Sequence, residues 1–278
     1  MGILYALCAI GFALVYNTTR IFHIAAAALY VISAYTLYYA YNFWGFSLAA
    51  GIITAIVVTS VFSVASEWVV YRPLYNKKSS LFVAMIASIG LMTVLVNLIA
   101  MLFGNATKIV DNSIQRTFTF GEIIITSPQM LQLIVGTLVI IGFMLFLRFT
   151  RFGLQTRALS INDTLFRTMG YSISSTRTKV FALSGLFLAL AGSLTANDTG
   201  MNPHLGMSVL INAMVAMIIG GSGRFNACIL GGITLGILQS LVVYQFASNW
   251  QNAITFLVLI LFLFVRPQGF IGYKKRLV

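Results

Sequence analysis

Long apolar stretches, separated by short polar ones, dominate the pattern of this chain. A helix needs about 17–25 residues to cross roughly 30 Å of hydrocarbon. The apolar stretches lie at about 2–19, 21–41, 44–66, 81–103, 130–147, 180–197, 205–222, 225–246 and 251–265. They are continuous and do not alternate as the strands of a transmembrane barrel do. The pattern therefore predicts an all-α, polytopic transmembrane bundle of about eight or nine helices that forms a single domain over 1–278.

Three places interrupt the helical pattern. The run Ala25–Ala28 and the junction Gly220–Gly223 favour broken or partly re-entrant helices, because irregular backbone is tolerated at membrane depth where protein buries it. Thr, Ile and Phe alternate over 117–125, and this period of two indicates a small β-hairpin.

The longest polar stretch, 148–179, contains the signature of a short helix. Ser160 and Asp163 have the S-x-x-D spacing of a capping box, and Gly170 stands where a C-terminal left-handed residue is expected. Helical spacing places Ile161, Leu165, Phe166 and Met169 on one face and Asn162, Asp163 and Arg167 on the other. The pattern predicts a helix over 160–170, which is too short to be stable alone in water.

This short helix must pack against something, either anionic lipid or another protein. A helix that lies on lipid normally carries several Lys or Arg residues on its polar face. Here Arg167 is the one cation of that predicted face. Docking into a groove of another protein through the apolar residues is therefore the favoured interpretation.

Composition and charge support a membrane protein and indicate its orientation. The chain is 59% hydrophobic and 8% charged, against about 25% charged in an ordinary soluble domain. Its net charge of +12 does not indicate nucleic-acid binding, because the basic residues lie at the ends of apolar segments. With nine crossings and the N-terminus outside, only Lys108 and Arg116 of the 17 basic residues fall outside. The positive-inside rule then places 148–179 and the C-terminus in the cytoplasm.

The sequence offers little for catalysis. No carboxylate pair, metal-ligand cluster or phosphate loop is evident, so we predict no catalytic or metal-binding residues. Gly220–Gly223 fits a G-x-S-G pattern around Ser222, but a nucleophilic serine needs a base within reach. The two histidines, His23 and His204, both precede Ser222. A tight glycine turn between close helices is the better interpretation.

Other residues in the apolar segments predict packing or a polar path. Glycines let helices approach closely in lipid, and we assign this role to Gly185, Gly192, Gly220, Gly221, Gly223, Gly232 and Gly236. Isolated polar residues either form interhelical hydrogen bonds or line a passage, and both interpretations stay open for His23, Asn97, Asn197 and Asn212.

Short motifs also follow one another in order along nearly the whole chain. They are Leu4–Leu7, Arg20, Leu29–Tyr30, Arg151–Gly153, Arg157–Ala158, Asn162, Gly170, Phe181–Gly185, Ala189–Gly192, Ile219–Gly223, Leu230–Gly232 and Arg266–Gly269. In this order they resemble the permease subunits of branched-chain amino acid (LivH-type) ABC importers, a family that includes urea and amide permeases. One stretch departs from that family: Ala26 and Ala27 stand where a His and a Gly are usual.

The resemblance implies a function and a set of partners. The predicted helix at 160–170 looks like a coupling helix that rests in a cleft of an ATPase through Leu165, Phe166 and Met169, with Gly153 and Gly170 setting its entry and exit. The expected coupling residues are Arg157, Ser160, Asn162, Asp163, Leu165, Phe166, Arg167, Met169 and Gly170. The subunit would need no cofactor of its own, since ATP would be bound by two cytoplasmic ATPase subunits. It would pair with a second, related permease as a heterodimer and receive cargo from a periplasmic or lipid-anchored binding protein. We expect it in the bacterial inner (plasma) membrane.

Three alternatives remain at this point. The cargo is a branched-chain or other small amino acid, or else urea or an amide. A stand-alone channel or facilitator would need no ATPase. An intramembrane hydrolase would use Ser222.

Overall fold

Helices dominate the computed structural model, which confirms the all-α class and describes residues 1–111, 116–120, 123–221, 223, 225–266 and 269–270. The helices are α1 (Gly2–Thr19), α2 (Ala26–Asn42), α3 (Leu48–Ser66), α4 (Arg72–Asn76), α5 (Leu81–Phe103), α6 (Ser127–Phe149), α7 (Arg151–Ile161), α8 (Asp163–Thr168), α9 (Ile173–Thr199), α10 (Leu205–Gly220), α11 (Phe225–Gln245) and α12 (Gln251–Val265). A π-helical turn, Glu67–Tyr71, joins α3 to α4, and a 3₁₀ turn, Ser248–Trp250, precedes α12.

The predicted hairpin is present. Strands β1 (Thr117–Phe120) and β2 (Ile123–Thr126) pair antiparallel, with Thr117 opposite Thr126. Helix α6 begins directly after β2, and Thr126 forms a capping box with Gln129 at its start.

Among the described residues, six helices are long and apolar enough to cross a membrane, judged by length and composition. They are Gly2–Thr19, Leu48–Asn76, Leu81–Phe103, Ser127–Phe149, Ile173–Thr199 and Phe225–Gln245. The predicted segments 21–41, 205–222 and 251–265 form shorter helices of 17, 16 and 15 residues. Each predicted apolar segment therefore corresponds to one helix.

Three helices depart clearly from the predicted segments in their bounds. Helix α9 begins at Ile173, seven residues before the predicted segment 180–197. The helix predicted over 44–66 continues through the π-helical turn to Asn76, because Trp68–Tyr71 extend the apolar pattern past Glu67. Residues 21–25 are not helical, and α2 begins only at Ala26. This link follows Arg20, which has a left-handed φ of 59°, and buries His23 and Ala25.

Helices α1 and α9 form the centre of the bundle. Of the residues in their most apolar 18-residue stretches, 78% are buried in α1 and 72% in α9, whereas 17% are buried in α5. Helix α9 packs against α1, α2 and α3, and α1 also packs against α11 and α10. The outer faces of α3, α5 and α6 are thus left for lipid or another subunit.

Contacts between loops define two ends of the bundle. At the inner end, Arg20 donates to the carbonyl of Ser160 at 2.9 Å. At the outer end, Asn42 donates to the carbonyl of Val110 at 3.1 Å, and Lys108 pairs with Met201. The loops group as the charge distribution predicts. Assigning the inner end to the cytoplasm stays a prediction.

Candidate functional site

The predicted coupling helix consists of two helices and a break. Helix α7 runs through Ser160, whose Oγ donates to the carbonyl of Arg157 at 2.7 Å. The chain breaks at Asn162, whose Oδ1 accepts from the Leu165 N–H at 3.1 Å and caps α8. The predicted capping box of Ser160 is therefore wrong, because α7 has its own cap at Thr150 and carries Ser160 into its last turn.

Helix α8 ends where the sequence predicts, just before Gly170. Gly170 has a φ of 82°, in the left-handed region that a glycine enters without a Cβ clash. Its N–H donates to the carbonyl of Arg167 at 2.9 Å. Asp163 begins α8, where a carboxylate is favoured by the helix dipole.

The apolar residues of this segment separate into buried and exposed ones. Phe166 is 1% exposed and packs with Leu159 and Ile173, while its ring stacks on Tyr171 at 5.2 Å between centroids. Leu165 and Met169 are 55% and 68% exposed. Phe166 thus anchors α8 to its own chain. Of the predicted apolar docking residues, Ile161 at the end of α7, Leu165 on α8 and Met169 directly after α8 present their side chains at the surface.

Helix α7 is tied to the rest of the inner end. Arg157 donates from Nε to the carbonyl of Gly153 at 3.0 Å and from a guanidinium NH₂ to that of Leu147 at 3.3 Å. Gly153 packs directly on the backbone of Leu147, where a larger side chain would clash. Arg157 therefore holds α7 against the end of α6 and is not part of the exposed apolar face.

Glu67, Tyr75, Arg167 and Arg177 form what we call the inner cluster. Arg177 pairs with both carboxylate oxygens of Glu67, at 2.7 and 3.0 Å, and both side chains are buried. The Arg177 guanidinium lies 4.5 Å from the centroid of the Tyr75 ring. Arg167 donates to the Tyr75 hydroxyl at 2.7 Å. The inner cluster thus connects α8 to α4, α9 and the π-helical turn.

His23 lies in a buried aromatic contact next to this cluster. Its Nδ1 is hydrogen-bonded to the Tyr71 hydroxyl at 2.8 Å, and its ring makes edge contacts with Tyr71 and Phe181. Tyr71 donates to Ser88 at 2.7 Å, and the Ser88 hydroxyl accepts from the N–H of Ala25 at 3.0 Å. His23 therefore fixes the non-helical link 21–25 in place through its hydrogen bond to Tyr71.

A second set of polar side chains, which we call the outer cluster, consists of Tyr5, Asn212, Gln239, Gln251 and Thr255. Asn212 Oδ1 accepts from Gln239 and from Thr255, both at 3.2 Å. Gln239 also donates to Thr255 at 2.6 Å. Gln251 donates to Gln239 Oε1 at 3.0 Å and to the Tyr5 hydroxyl at 3.4 Å. These side chains come from α1, α10, α11 and α12.

The outer cluster borders a cavity of about 260 Å³. Its lining combines apolar and neutral polar residues, among them Leu4, Tyr5, Tyr30, Thr195, Ser208, Val209, Asn212 and Gln251. No Asp, Glu, Lys, Arg or His side chain occurs among the described residues that line it. Neutral donors and acceptors around a small cavity are suited to a small polar solute.

The structure brings only one of the four predicted path residues to this cavity. Asn212 lines it, whereas Asn97 lies on the exposed face of α5 and donates to the carbonyl of Thr93 at 2.8 Å. Asn197 is partly buried and outside the cavity lining. Sequence reasoning missed Gln239 and Thr255, although both are isolated polar residues in apolar segments, as Asn212 is.

Most of the glycines predicted to allow close helix packing lie against neighbouring backbone. A Cβ at Gly192 would meet the carbonyl of Tyr30, and one at Gly232 would meet the backbone of Ala6. Gly185, Gly220 and Gly236 likewise pack on neighbouring backbone. Gly223 does not: a Cβ there would meet nothing within 4 Å, and its φ of 111° shows a conformational role instead. Gly221 has a φ of 115° and packs against Gly269.

Ser222, Arg224 and the basic C-terminal residues 274–276 lie outside the described residues.

The bundle with its central α9, outer cavity and inner-end helices has the form of a membrane transport subunit, and comparison with known proteins identifies the family. The family described as "Branched-chain amino acid transport system / permease component" matches residues 1–263, and the chain belongs to it. It is therefore an ABC permease and a multi-pass membrane protein, and it is not an enzyme.

Individual relatives agree with this assignment. The chain is 28% identical to the permease protein BraD of a high-affinity branched-chain amino acid transport system of Pseudomonas aeruginosa. It is equally similar to the corresponding LivH protein of Escherichia coli. Each alignment covers 98% of this chain and 92% of the relative. The ribose import permease protein RbsC of Haemophilus influenzae is 26% identical over 46% of this chain and 42% of its own length.

A solved structure supports the fold. The structure of PsaBC from Streptococcus pneumoniae in complex with a Fab matches with a TM-score of 0.54 at 16% identity. The match covers 96% of this chain and 90% of that chain.

Proposed function

We propose that this chain imports a branched-chain or other small amino acid by alternating access, driven by two cytoplasmic ATPase subunits. A second, related permease would complete the pathway as a heterodimer, and a periplasmic or lipid-anchored binding protein would deliver the cargo. The observation that carries the proposal is that Phe166 fixes α8 to the bundle, while Leu165 on α8 and Met169 directly after it are exposed.

The contacts of α8 suggest how it would move the bundle. An ATPase that holds Leu165 and Met169 would displace α8 as a rigid body when it closes on nucleotide. Phe166 packs on Ile173 at the start of α9, and Arg167 bonds to Tyr75 of α4. A displacement of α8 would therefore reach both α9, at the centre of the bundle, and the long helix Leu48–Asn76.

The outer cavity supports a small cargo. Its volume of about 260 Å³ is just below the range of about 300–1,000 Å³ for sites that hold drug-sized ligands. Leu4 and Val209 offer apolar contact for an aliphatic side chain, and Asn212 and Gln251 offer hydrogen bonds. The buried Ala26 and Ala27, in place of the His and Gly usual in the family, are consistent with a cargo that differs in size or polarity.

The coupling role is tested by placing charge on the exposed face of α8. Leu165→Asp with Met169→Asp should abolish transport and the stimulation of ATPase activity by cargo, because a charged face no longer fits an apolar cleft. Leu154→Asp is the matched control, since Leu154 is 63% exposed on α7 but lies outside α8. The double variant should still insert and purify normally. Transport at the wild-type rate by the double variant would refute the coupling role.

The cargo and the stand-alone alternatives are tested together. Vesicles with the full complex should accumulate leucine, isoleucine or alanine only with ATP, and urea, acetamide and ribose serve as competing cargoes. Preferred accumulation of urea or acetamide would support the urea and amide alternative, which the neutral polar side chains of the cavity also fit. Flux through this chain alone, without an ATPase, would support a channel.

The orientation is tested by labelling. A cysteine placed at 163 should react with a membrane-impermeant reagent only from the cytoplasmic side, because the inner end contains most of the basic residues. Labelling from outside would reverse the topology.

A further inference from the structure

The inner cluster borders a basic cavity to which the proposed transport mechanism assigns no ligand. The cavity has a volume of about 280 Å³ and is lined by Arg72, Arg167 and Arg177. Glu67 is the one acid among the described residues that line it. It lies between α4, the start of α9 and the end of α8, well away from the outer cavity.

The charges around this cavity are not balanced. Glu67 is engaged with Arg177 through both carboxylate oxygens. Arg167 bonds to the neutral Tyr75 hydroxyl, and Arg72 makes no hydrogen bond with the described residues. Glu67 also attracts Arg72 electrostatically, but three arginines against one carboxylate still leave the described lining with two net positive charges. An anion there would gain charge-assisted hydrogen bonds, which are shorter and about twice as strong as neutral ones.

The start of α9 adds backbone donors to the same cavity. Ser172 caps this helix of 27 residues, and its side chain accepts from the N–H of Ser175. Ile173 and Ser174, in the first turn, line the cavity. The first N–H groups of a helix have no partner within the helix, and together with the helix dipole they favour phosphate.

The depth of the cavity in the membrane is indicated by Trp68. This residue is 55% exposed on the π-helical turn next to Glu67, and its Nε1 donates to Thr178 of α9 at 3.2 Å. Val69 beside it is 74% exposed. Tryptophan is enriched where lipid headgroups meet the hydrocarbon, and Thr178 adjoins Arg177 in the sequence. The cavity is thus at headgroup level, next to an apolar surface.

We propose that this cavity binds a phosphate group, held by Arg72, Arg167 and the first turn of α9, while Arg177 stays paired with Glu67. The guanidinium fork matches phosphate oxygens, and basic cavities between helices on the cytoplasmic side bind lipid headgroups. The location favours a membrane phospholipid over a soluble phosphate as the source. Because Arg167 belongs to α8 and Arg72 to α4, an occupied site would hold these two helices together.

The test compares three probes on the full chain, purified in detergent and stripped of lipid. Dioctanoyl phosphatidylglycerol carries the phosphate, dioctanoylglycerol lacks it, and inorganic phosphate lacks the acyl chains. Binding is measured by native mass spectrometry. We expect phosphatidylglycerol to bind at least about tenfold more tightly than dioctanoylglycerol, because only the former offers charge-assisted hydrogen bonds.

Variants locate the site. Arg72→Gln with Arg167→Gln should weaken phosphatidylglycerol binding by about tenfold or more, since two charged donors are lost. Lys77→Gln with Lys78→Gln is the control: it removes the same charge from the same inner end, outside the cavity lining. This control should stay within about twofold of the wild type, because exposed charges beyond contact are screened by salt.

Each outcome bears on the proposal. Tighter binding of phosphatidylglycerol than of inorganic phosphate supports a headgroup site, and equal affinities support a site for a soluble phosphate. Equal binding of phosphatidylglycerol and dioctanoylglycerol, or equal losses in the two double variants, would overturn the proposal. Arg72→Gln alone changes an exposed side chain and keeps the test readable if the double variant does not fold; it should weaken binding by about threefold.

Discussion

The inner and outer clusters are both sets of polar side chains with a buried centre in a bundle of apolar helices, but they differ in chemistry. The inner cluster is built on an ion pair, Glu67 with Arg177, and on aromatic contacts with Tyr75. The outer cluster contains amides and hydroxyls that share their hydrogen bonds around Asn212. A neutral network can exchange partners with water or solute at modest cost, whereas separating a buried ion pair is expensive. The difference fits an outer end that binds cargo and an inner end that stays connected while it moves.

The difference between the two clusters should have its largest effect at the Glu67–Arg177 ion pair. Arg177→Met should lower the free energy of unfolding by about 3–5 kcal/mol, because it leaves the Glu67 carboxylate buried without its partner. Unfolding is followed by loss of helical circular dichroism in detergent during titration with a denaturing detergent.

A paired replacement separates the charge from the packing. Glu67→Leu combined with Arg177→Met removes both charges and keeps similar volumes, so most of the lost stability should return. If the double variant is no more stable than Arg177→Met, packing rather than the ion pair holds the inner cluster together.

A smaller effect is expected at the anchor of α8. Phe166→Ala should weaken the inner end by about 3 kcal/mol, since a buried aromatic side chain is lost. Leu165→Ala, on the neighbouring exposed position, should change stability by no more than about 0.5 kcal/mol. Because α8 is short, the effect is best measured locally, by amide hydrogen exchange over 163–170. Equal exchange in both variants would contradict the division of α8 into a buried and an exposed face.

The outer half can be tested through its helix packing. Gly192→Ala places a Cβ against the carbonyl of Tyr30 and should cost about 1–3 kcal/mol as α2 and α9 are forced apart. Gly90→Ala, where a Cβ would meet nothing within 4 Å, should instead stabilise its helix by up to about 1 kcal/mol. Thermal unfolding of the two variants provides the measurement, and a loss of similar size at both positions would contradict the assigned close approach.

The local pattern of this sequence predicts much of the fold. The apolar segments, the hairpin at 117–125 and the left-handed Gly170 all follow from spacing along the chain, and the structure agrees with each. The sequence does not predict the break at Asn162, because the helix that starts after Thr150 continues through Ser160 and ends at Ile161, inside the S-x-x-D signal.

The two clusters are harder to predict, because their members meet only in three dimensions. Tyr5 and Thr255 are far apart in sequence, and Gln251 links them across α1 and α12. The burial of Phe166 is also hard to predict. Helical spacing groups it with Leu165 and Met169, and it is buried only because of its tertiary contacts. Spacing defines a face of a helix, and it does not decide what covers each residue of that face.

The smallest expected effect concerns cargo at the outer cluster. Asn212→Leu should raise the half-saturating cargo concentration by about tenfold. The cavity loses an amide, and Gln239 and Thr255 lose their shared acceptor. Leaving a buried polar group without a partner costs about 1–3 kcal/mol, which is enough for an effect of this size. The maximal rate of ATP hydrolysis should change little, since the inner cluster is intact. Asn97→Leu is the matched control, as this asparagine lies on the exposed face of α5, and it should leave uptake unchanged. If Asn97→Leu impairs uptake as much as Asn212→Leu does, the cargo path does not run past the outer cluster, and the division of roles between the two ends is lost.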